Sequence, residues 1–549
     1  MKSLGRIGTL PPRSSAGFQT CCIAGLPACQ PSEYLSTRPP AHACRLEIGD
    51  TAGLETCATV QDTRKAHAPG AAHDRGRCCR VAFAVWLALA SLAVVGILPA
   101  HADDATATPS PPPFKKLRYD ENYEYLRDPS RRSDYLDAIK FIPLNTNRDW
   151  YLTLGGEIRE RYEYYHNNLW GKGPQDDNGY LLQRYMIHAD AHFGDVFRIF
   201  AQFKSGLEDG RNGGARPTDE DVFDLHQAFF DVRLPLATDN SLVIRAGRQE
   251  LAYGSSRLVS FREEPNVRRS FDGVKGILKV NDWQVDAFVT KPVRNRTGVF
   301  DDDPDPGQNF WGLYAVTPVS WLPGGNVDLY YLGLDRSNAS FDQGTAHELR
   351  HSLGTRIWGH KTGWDYNLEF VYQFGSFGSG SIQAWTAASD FGFTFEDAPL
   401  KPRLGLKANA TSGDDNPKDA DLQTFNPLFP RGAYFGEPAL IGPANHIDVH
   451  PQLDLALAKN VTLTTGWDCF WRESTHDGIY GPAVNLIQSG KTSNARYVGN
   501  QAEVMLEWRL DRHLTFAVDY ARFFAGDFLK ETTPGKDVDY FSAWVTYRF

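Results

Sequence analysis

The chain has 549 residues, 13% of them aromatic, with 49 glycines, a mean hydropathy of -0.41 and a formal net charge of -10. An all-helical membrane protein would carry several apolar runs of about 20 residues, and only one, Val81 to Leu98, is present. The acidic balance gives no reason to expect nucleic-acid binding.

That apolar run reads as the h-region (81-98) of a secretory signal peptide. Arg75, Arg77 and Arg80 precede it, and Ala100-His101-Ala102 follows, so cleavage is expected after Ala102. Residues 1-102 are therefore read as an N-terminal extension plus signal peptide. Seven of the eight cysteines (Cys21, Cys22, Cys29, Cys44, Cys57, Cys78 and Cys79) fall there. The extension before Arg75 is long for a signal peptide and points to a start site assigned too early, with Val60 one alternative. The mature chain keeps only Cys469 and no internal disulfide.

Residues 103-147 read as a periplasmic linker and N-terminal segment. It opens with a polar Ala/Thr/Pro stretch to Pro113 and carries a short helix at Asp134 to Lys140, capped by Ser133, at the periplasmic side or tucked into the pore.

From Trp150 a period of two begins and does not stop. Trp150, Leu152, Leu154, Ile158, Tyr162 and Tyr164 share one face, with Thr153, Glu157, Arg159, Arg161 and Glu163 on the other. The same alternation recurs to the end, giving about 18 strands over residues 148-549. Short turns such as Gly194-Asp195 and Asp511-Arg512 alternate with long segments, among them 252-270, 291-308, 335-346, 375-381, 413-445 and 473-495. The last run puts Phe541, Ala543, Val545, Tyr547 and Phe549 on one side and stops on an aromatic. Short turns on one side, long loops on the other and an aromatic terminus mark an all-β, outer-membrane type transmembrane antiparallel barrel.

If the apolar face meets lipid, the charged face lines the lumen, because an arginine at the midplane would cost about 2–4 kcal/mol. Arg159, Arg161, Arg198, Arg233, Arg356, Arg403 and Arg472 lie on the lumen face by parity, as do Arg184, Arg350 and Arg509. Arg248 shares parity with Leu242 and Ile244, so either a bulge at Gly247 turns it inward or it lies above the lipid band, and the bulge is the favoured reading. Converging arginines would select anions, since the guanidinium fork binds carboxylates bidentately. The plainer reading is a wet wall of mutually neutralising charges.

Enzyme signatures are absent. The pairs His188/His192 and His347/His351 stand about 13–14 Å apart on a strand and cannot share one metal. There is no G-x-S-x-G, P-loop or CxxC in the mature chain, and no cofactor or catalytic group is expected. The acidic loop Asp301 to Gly307 offers oxygen ligands for calcium but reads more simply as a solvated loop.

Several stretches resemble the alginate export family of outer-membrane proteins. They are Leu225 to Phe229, Arg245 to Leu251, Asn266 to Val274, Trp364 to Glu369, Ser412-Gly413-Asp414, Phe523 to Leu529 and, most specifically, Thr424-Phe425-Asn426-Pro427-Leu428-Phe429-Pro430-Arg431-Gly432-Ala433-Tyr434-Phe435-Gly436. The resemblance implies an 18-stranded monomeric barrel passing anionic alginate through an arginine-rich constriction, for which Arg159, Arg161, Arg198, Arg233, Arg248, Arg356, Arg403 and Arg472 are the lumen candidates by analogy, with 413-445 as a folded or gating loop or one that only braces the barrel. It leaves two readings open: export of an anionic exopolysaccharide, or an anion-selective or general diffusion porin for small organic acids or oligosaccharides. Implied partners are the outer-membrane lipid and lipopolysaccharide, the barrel assembly machinery through Phe549, and a periplasmic secretion scaffold.

Overall fold

The computed structural model describes residues 111–549 except Thr238, Asp239 and Pro323. The signal peptide, the cysteine cluster and the cleavage position lie outside the described residues. Eighteen long antiparallel strands form one sheet, with two-residue strands at Ile142–Pro143 and Asp303–Pro304 on its margins. The first six are β1 (Trp150–His166), β2 (Tyr180–Phe193), β3 (Phe197–Asp209), β4 (Asp221–Ala237), β5 (Asn240–Gln249) and β6 (Phe271–Val280). The next six are β7 (Trp283–Arg294), β8 (Gln308–Val319), β9 (Gly325–Phe341), β10 (Gly344–Lys361), β11 (Trp364–Phe377) and β12 (Gly380–Thr394). The last six are β13 (Arg403–Thr411), β14 (His446–Ala458), β15 (Val461–Trp471), β16 (Tyr497–Arg509), β17 (Leu514–Ala525) and β18 (Val538–Arg548).

Each strand pairs with its sequence neighbour, and β18 returns to β1, from Glu157↔Arg548 to His166↔Asp539. Gly156 and Phe549 exchange backbone hydrogen bonds at 2.8 and 3.1 Å just beyond that ladder. The barrel is closed and has no free edge.

The outward parity is apolar and exposed, as in Ile187, Ile199, Phe230, Val274, Val289, Leu313, Leu329 and Leu353. Trp150, Trp283, Trp321 and Trp364 also face outward, and all four sit at the short-turn end, where a barrel places its interfacial aromatics. Among the described residues no helix is long and apolar enough to cross a membrane; the crossing is made by strands.

Two expected long loops are absent. β9 and β10 continue to a turn at Asp342 and Gln343, and β11 and β12 to one at Gly378 and Ser379. The ladder continues there past a register shift between Arg336 and Ala339, and the alternation is lost because the inward face of the extensions packs Ala339, Phe341, Phe377 and Ile382 against the inserted loops instead of leaving the outward face alone apolar. The short helix starts at Asp137, not Asp134, and Ser133 does not cap it. The Asp137 carboxylate instead accepts the Ser133 and Asp134 N–H groups.

Candidate functional site: a cationic vestibule between an inserted N-terminal segment and inward-folded loops

The extracellular half of the lumen is filled by loops. Residues 250–270, between β5 and β6, and 412–445, between β13 and β14, fold inward and bond to each other. Phe429 N–H donates to Leu258 O at 2.8 Å, and Ser260 N–H to Phe429 O at 2.8 Å. The Phe429 ring meets Phe271 and Phe310 edge-on. Pro427 and Pro430 flank this contact and lack N–H groups that would need partners inside the barrel. Further along, Phe435, Leu440 and Ile441 join a second cluster on the β15–β18 wall, so the Phe/Pro-rich stretch spans the lumen from wall to wall.

From the periplasmic end the N-terminal segment enters. Arg118 donates to Gly156 O and Phe549 O across the β1–β18 seam. Tyr119 meets the stacked pair Phe200 and Phe229 edge-on and donates to Glu250 O at 2.8 Å. Lys140 donates to Leu154 O, and burial beside Arg118 pulls its ammonium down to about 7.

Between segment and loops lies a cavity of about 810 Å³. Its walls are the inward residues of β3 to β10 at period two, together with Lys115, Leu117, Tyr119 and Asp120. Seven cations line it (Lys115, Arg198, Arg233, Arg245, Lys275, Lys279 and Arg356) against four carboxylates (Asp120, Asp231, Asp286 and Asp328), a formal surplus of three. The cations are not equivalent. Arg198 is held by Asp190 and Tyr119 O, Arg245 by Asp231, and Arg356 by Asp328 and Asn367. Lys275 has Asp286 at 3.7 Å. Lys115, Arg233 and Lys279 are exposed, and none of their charged groups has a hydrogen bond or ion pair within the described residues. Tyr253, Tyr314 and Trp358 add ring faces to the same wall.

Three of the eight arginines expected in the lumen, Arg198, Arg233 and Arg356, therefore meet in one cavity. Arg159 and Arg161 face inward but are covered by the loops. Arg159 donates to Glu263 O and Pro265 O, and Arg161 is bound by Glu163, Glu437 and Tyr540. Arg403 sits near the periplasmic rim among Asp365, Asp390 and Asp454.

Two placements correct the sequence reading. The β5 ladder runs without a shift through Gly247, pairing Arg248 with Ala228 on one side and Asp272 on the other. No bulge turns Arg248 inward. It keeps its outward parity because Asp272 directly across neutralises it and the loop after β7 covers it through Asp302 O. Arg472 is fully buried and lines nothing; its guanidinium donates to the carbonyls of Thr475, Asp477, Ser493 and Ala495.

Sequence parity missed Lys275 and Lys279, although Val274, Gly276 and Leu278 alternate with them and carried the signal. It also missed Arg262 and Arg269 on the inward loop. Neither guanidinium has a hydrogen bond or carboxylate in ion-pair reach among the described residues, and burial lowers both, Arg262 to about 10. The acidic loop after β7 is not simply solvated. Asp302 joins Asp221 and Asp224 in a tight carboxylate group, and the Lys204 ammonium sits 2.6 Å from Asp221 and 2.8 Å from Asp302. Lys204 supplies there the positive charge that a metal would.

The sequence profile of the alginate export family matches residues 150–542. The chain belongs to that family. It is an outer-membrane β-barrel porin of the alginate export family. No curated protein matches it by sequence. Among solved structures, a BenF-like porin from Pseudomonas fluorescens Pf-5 is similar at 12% identity, over 72% of this chain and 98% of that one, with a TM-score of 0.51. Pseudomonas aeruginosa OccK8 (OprE) gives 12% identity, 72% and 98% coverage and 0.49. Pseudomonas aeruginosa OccK2 (OpdF), solved in complex with glucuronate, gives 12%, 74% and 99%, and 0.48. Identity this low speaks for the fold alone.

Proposed function

We propose that this family member conducts an anionic saccharide across the outer membrane, an exported polyuronate ahead of a small organic acid, with the vestibule as its periplasmic reception site. One observation carries the reading: Lys115, Arg233 and Lys279 line a cavity with surplus positive charge while having no internal carboxylate to satisfy. A wet wall of mutually neutralising charges would leave no such groups. Arg198 and Arg356, already oriented by acidic neighbours, present fixed forks beside the free cations. Arg159 and Arg161, covered by the loops, and Arg403, bound by carboxylates, brace the path, and Arg262 and Arg269 meet the solute where the inward loops part.

The test is electrical. The mature chain, refolded into a planar bilayer, is recorded under a salt gradient and then titrated with uronate oligomers and neutral glycans of equal length. Anion selectivity with block by uronates alone is expected. Cation selectivity, or equal block by neutral glycans, overturns the reading. Permeation of small acids with no block by oligomers places the protein with diffusion porins instead.

A further inference from the structure

Asp519 on β17 faces inward and is fully buried, and neither of its carboxylate oxygens has a hydrogen-bond partner among the described residues. Directly across the ladder, on β18, stands Ser542. It is buried to the same degree, and its Oγ has no partner either. Residues so opposed hold their Cβ atoms about 4.5–5.5 Å apart, yet these two side chains make no bond to each other. Three buried oxygens therefore converge on one place with nothing between them.

The charges around Asp519 deepen the deficit. Glu503 lies diagonally across on β16, within reach of a long side chain. Glu437 comes from the inward loop, and its N–H donates to one Glu503 oxygen at 3.0 Å. Gln501 Nε2 donates to the other at 2.9 Å, so each Glu503 oxygen keeps a lone pair. Gly436 lies so close that any side chain there would strike Glu503 and Gln501, and the loop backbone covers the carboxylate directly. Arg161 is the one cation acting on Asp519, and it is already held by Glu163, Glu437 and Tyr540. Four carboxylates, those of Asp519, Glu503, Glu437 and Glu163, thus stand against one guanidinium.

A bare carboxylate is not left uncompensated in a protein interior. A proton would cancel a single charge and still leave Ser542 Oγ without a bond. A hard divalent cation answers both the charge and the oxygens, since carboxylate, hydroxyl and water are its preferred ligands. We propose that Asp519, Ser542 and Glu503 form a site for a divalent cation of the calcium class, which ties β16, β17 and β18 to the inward loop. The Asp221, Asp224 and Asp302 group differs, because Lys204 occupies its centre. The site is separate from the vestibule and stands whatever solute the vestibule takes.

The probe is calcium itself. The refolded mature chain, stripped with a chelator, is titrated with calcium in equilibrium dialysis and in thermal melts. Wild type should bind one calcium ion more than Asp519→Asn, and its midpoint should rise with calcium while that of Asp519→Asn stays flat. Without calcium the order should reverse, because Asp519→Asn removes an unanswered buried charge and melts above stripped wild type. Asp302→Asn should keep the calcium response. Equal calcium binding by wild type and Asp519→Asn overturns the site, and so does a response lost in Asp302→Asn but kept in Asp519→Asn. A stripped wild type that binds no calcium and melts no lower than Asp519→Asn holds a proton there and overturns it as well. Should Asp519→Asn fail to fold, Ser542→Ala decides: it should need more calcium for the same rise, and an unchanged calcium midpoint overturns the site.

Discussion

The two halves of the lumen use the same residue type in opposite ways. In the extracellular half, arginines of the wall and its loops are bound, with Arg262 and Arg269 the exceptions: Arg350 is held by Glu348, Gln373 and Thr424 O, and Arg472 by four carbonyls, both with no exposure. In the periplasmic half, Arg233 and Lys279 hold exposed charges with no partner among the described residues. A guanidinium whose charge is already bound is a brace, and its surroundings would be left unsatisfied without it. One that faces water with nothing to bind is available to a solute. Positive charge alone does not mark a conduit; unspent positive charge does.

Substitutions at the two ends of this contrast should diverge. Arg350→Ala breaks a fully buried pair and should cost about 3–5 kcal/mol, read as a lowered midpoint of thermal unfolding. Phe429→Ala opens a hole where the two inward loops meet and should cost about 3 kcal/mol, with a larger single-channel conductance as the loops part. Lys140→Met should flatten a pH dependence. The folded chain holds this ammonium at about 7 and the unfolded chain near 10.4, so the unfolded state binds more protons between those values. Wild-type stability therefore rises with pH across that window, and the variant loses the rise in paired melts at pH 6 and 9. Smallest in stability is Arg233→Ala with Lys279→Ala, within about 0.5 kcal/mol, yet its reversal potential should move furthest toward cation permeability. If that double variant keeps full anion selectivity, the vestibule is not the selective element.

The barrel was legible because lipid reads every second residue. Ile187, Val289 and Leu353 face out for the reason their alternation suggested, and counting the alternating runs gave about 18 strands, while the alternating loop lengths marked the barrel. The Phe/Pro content of 424-436 likewise pointed to packing, since a buried chain needs apolar side chains and few idle N–H groups. What alternation cannot convey is which inward charge is already spent. Arg472 and Arg159 are satisfied by carbonyls from distant loops, which no local pattern encodes. At Arg248 the literal parity was right, and the bulge failed because Asp272 across the ladder already answered the charge.

Arg118 carries one more consequence. Its two acceptors, Gly156 O and Phe549 O, come from the first and last strands, the latter 431 residues away in sequence. Contacts this distant form late, because the intervening chain must be ordered first. The segment that leaves the export machinery first among the described residues is thus among the last to find its place. Both acceptors of Arg118 come together only where the last strand meets the first, so its docking site is complete only in the closed cylinder.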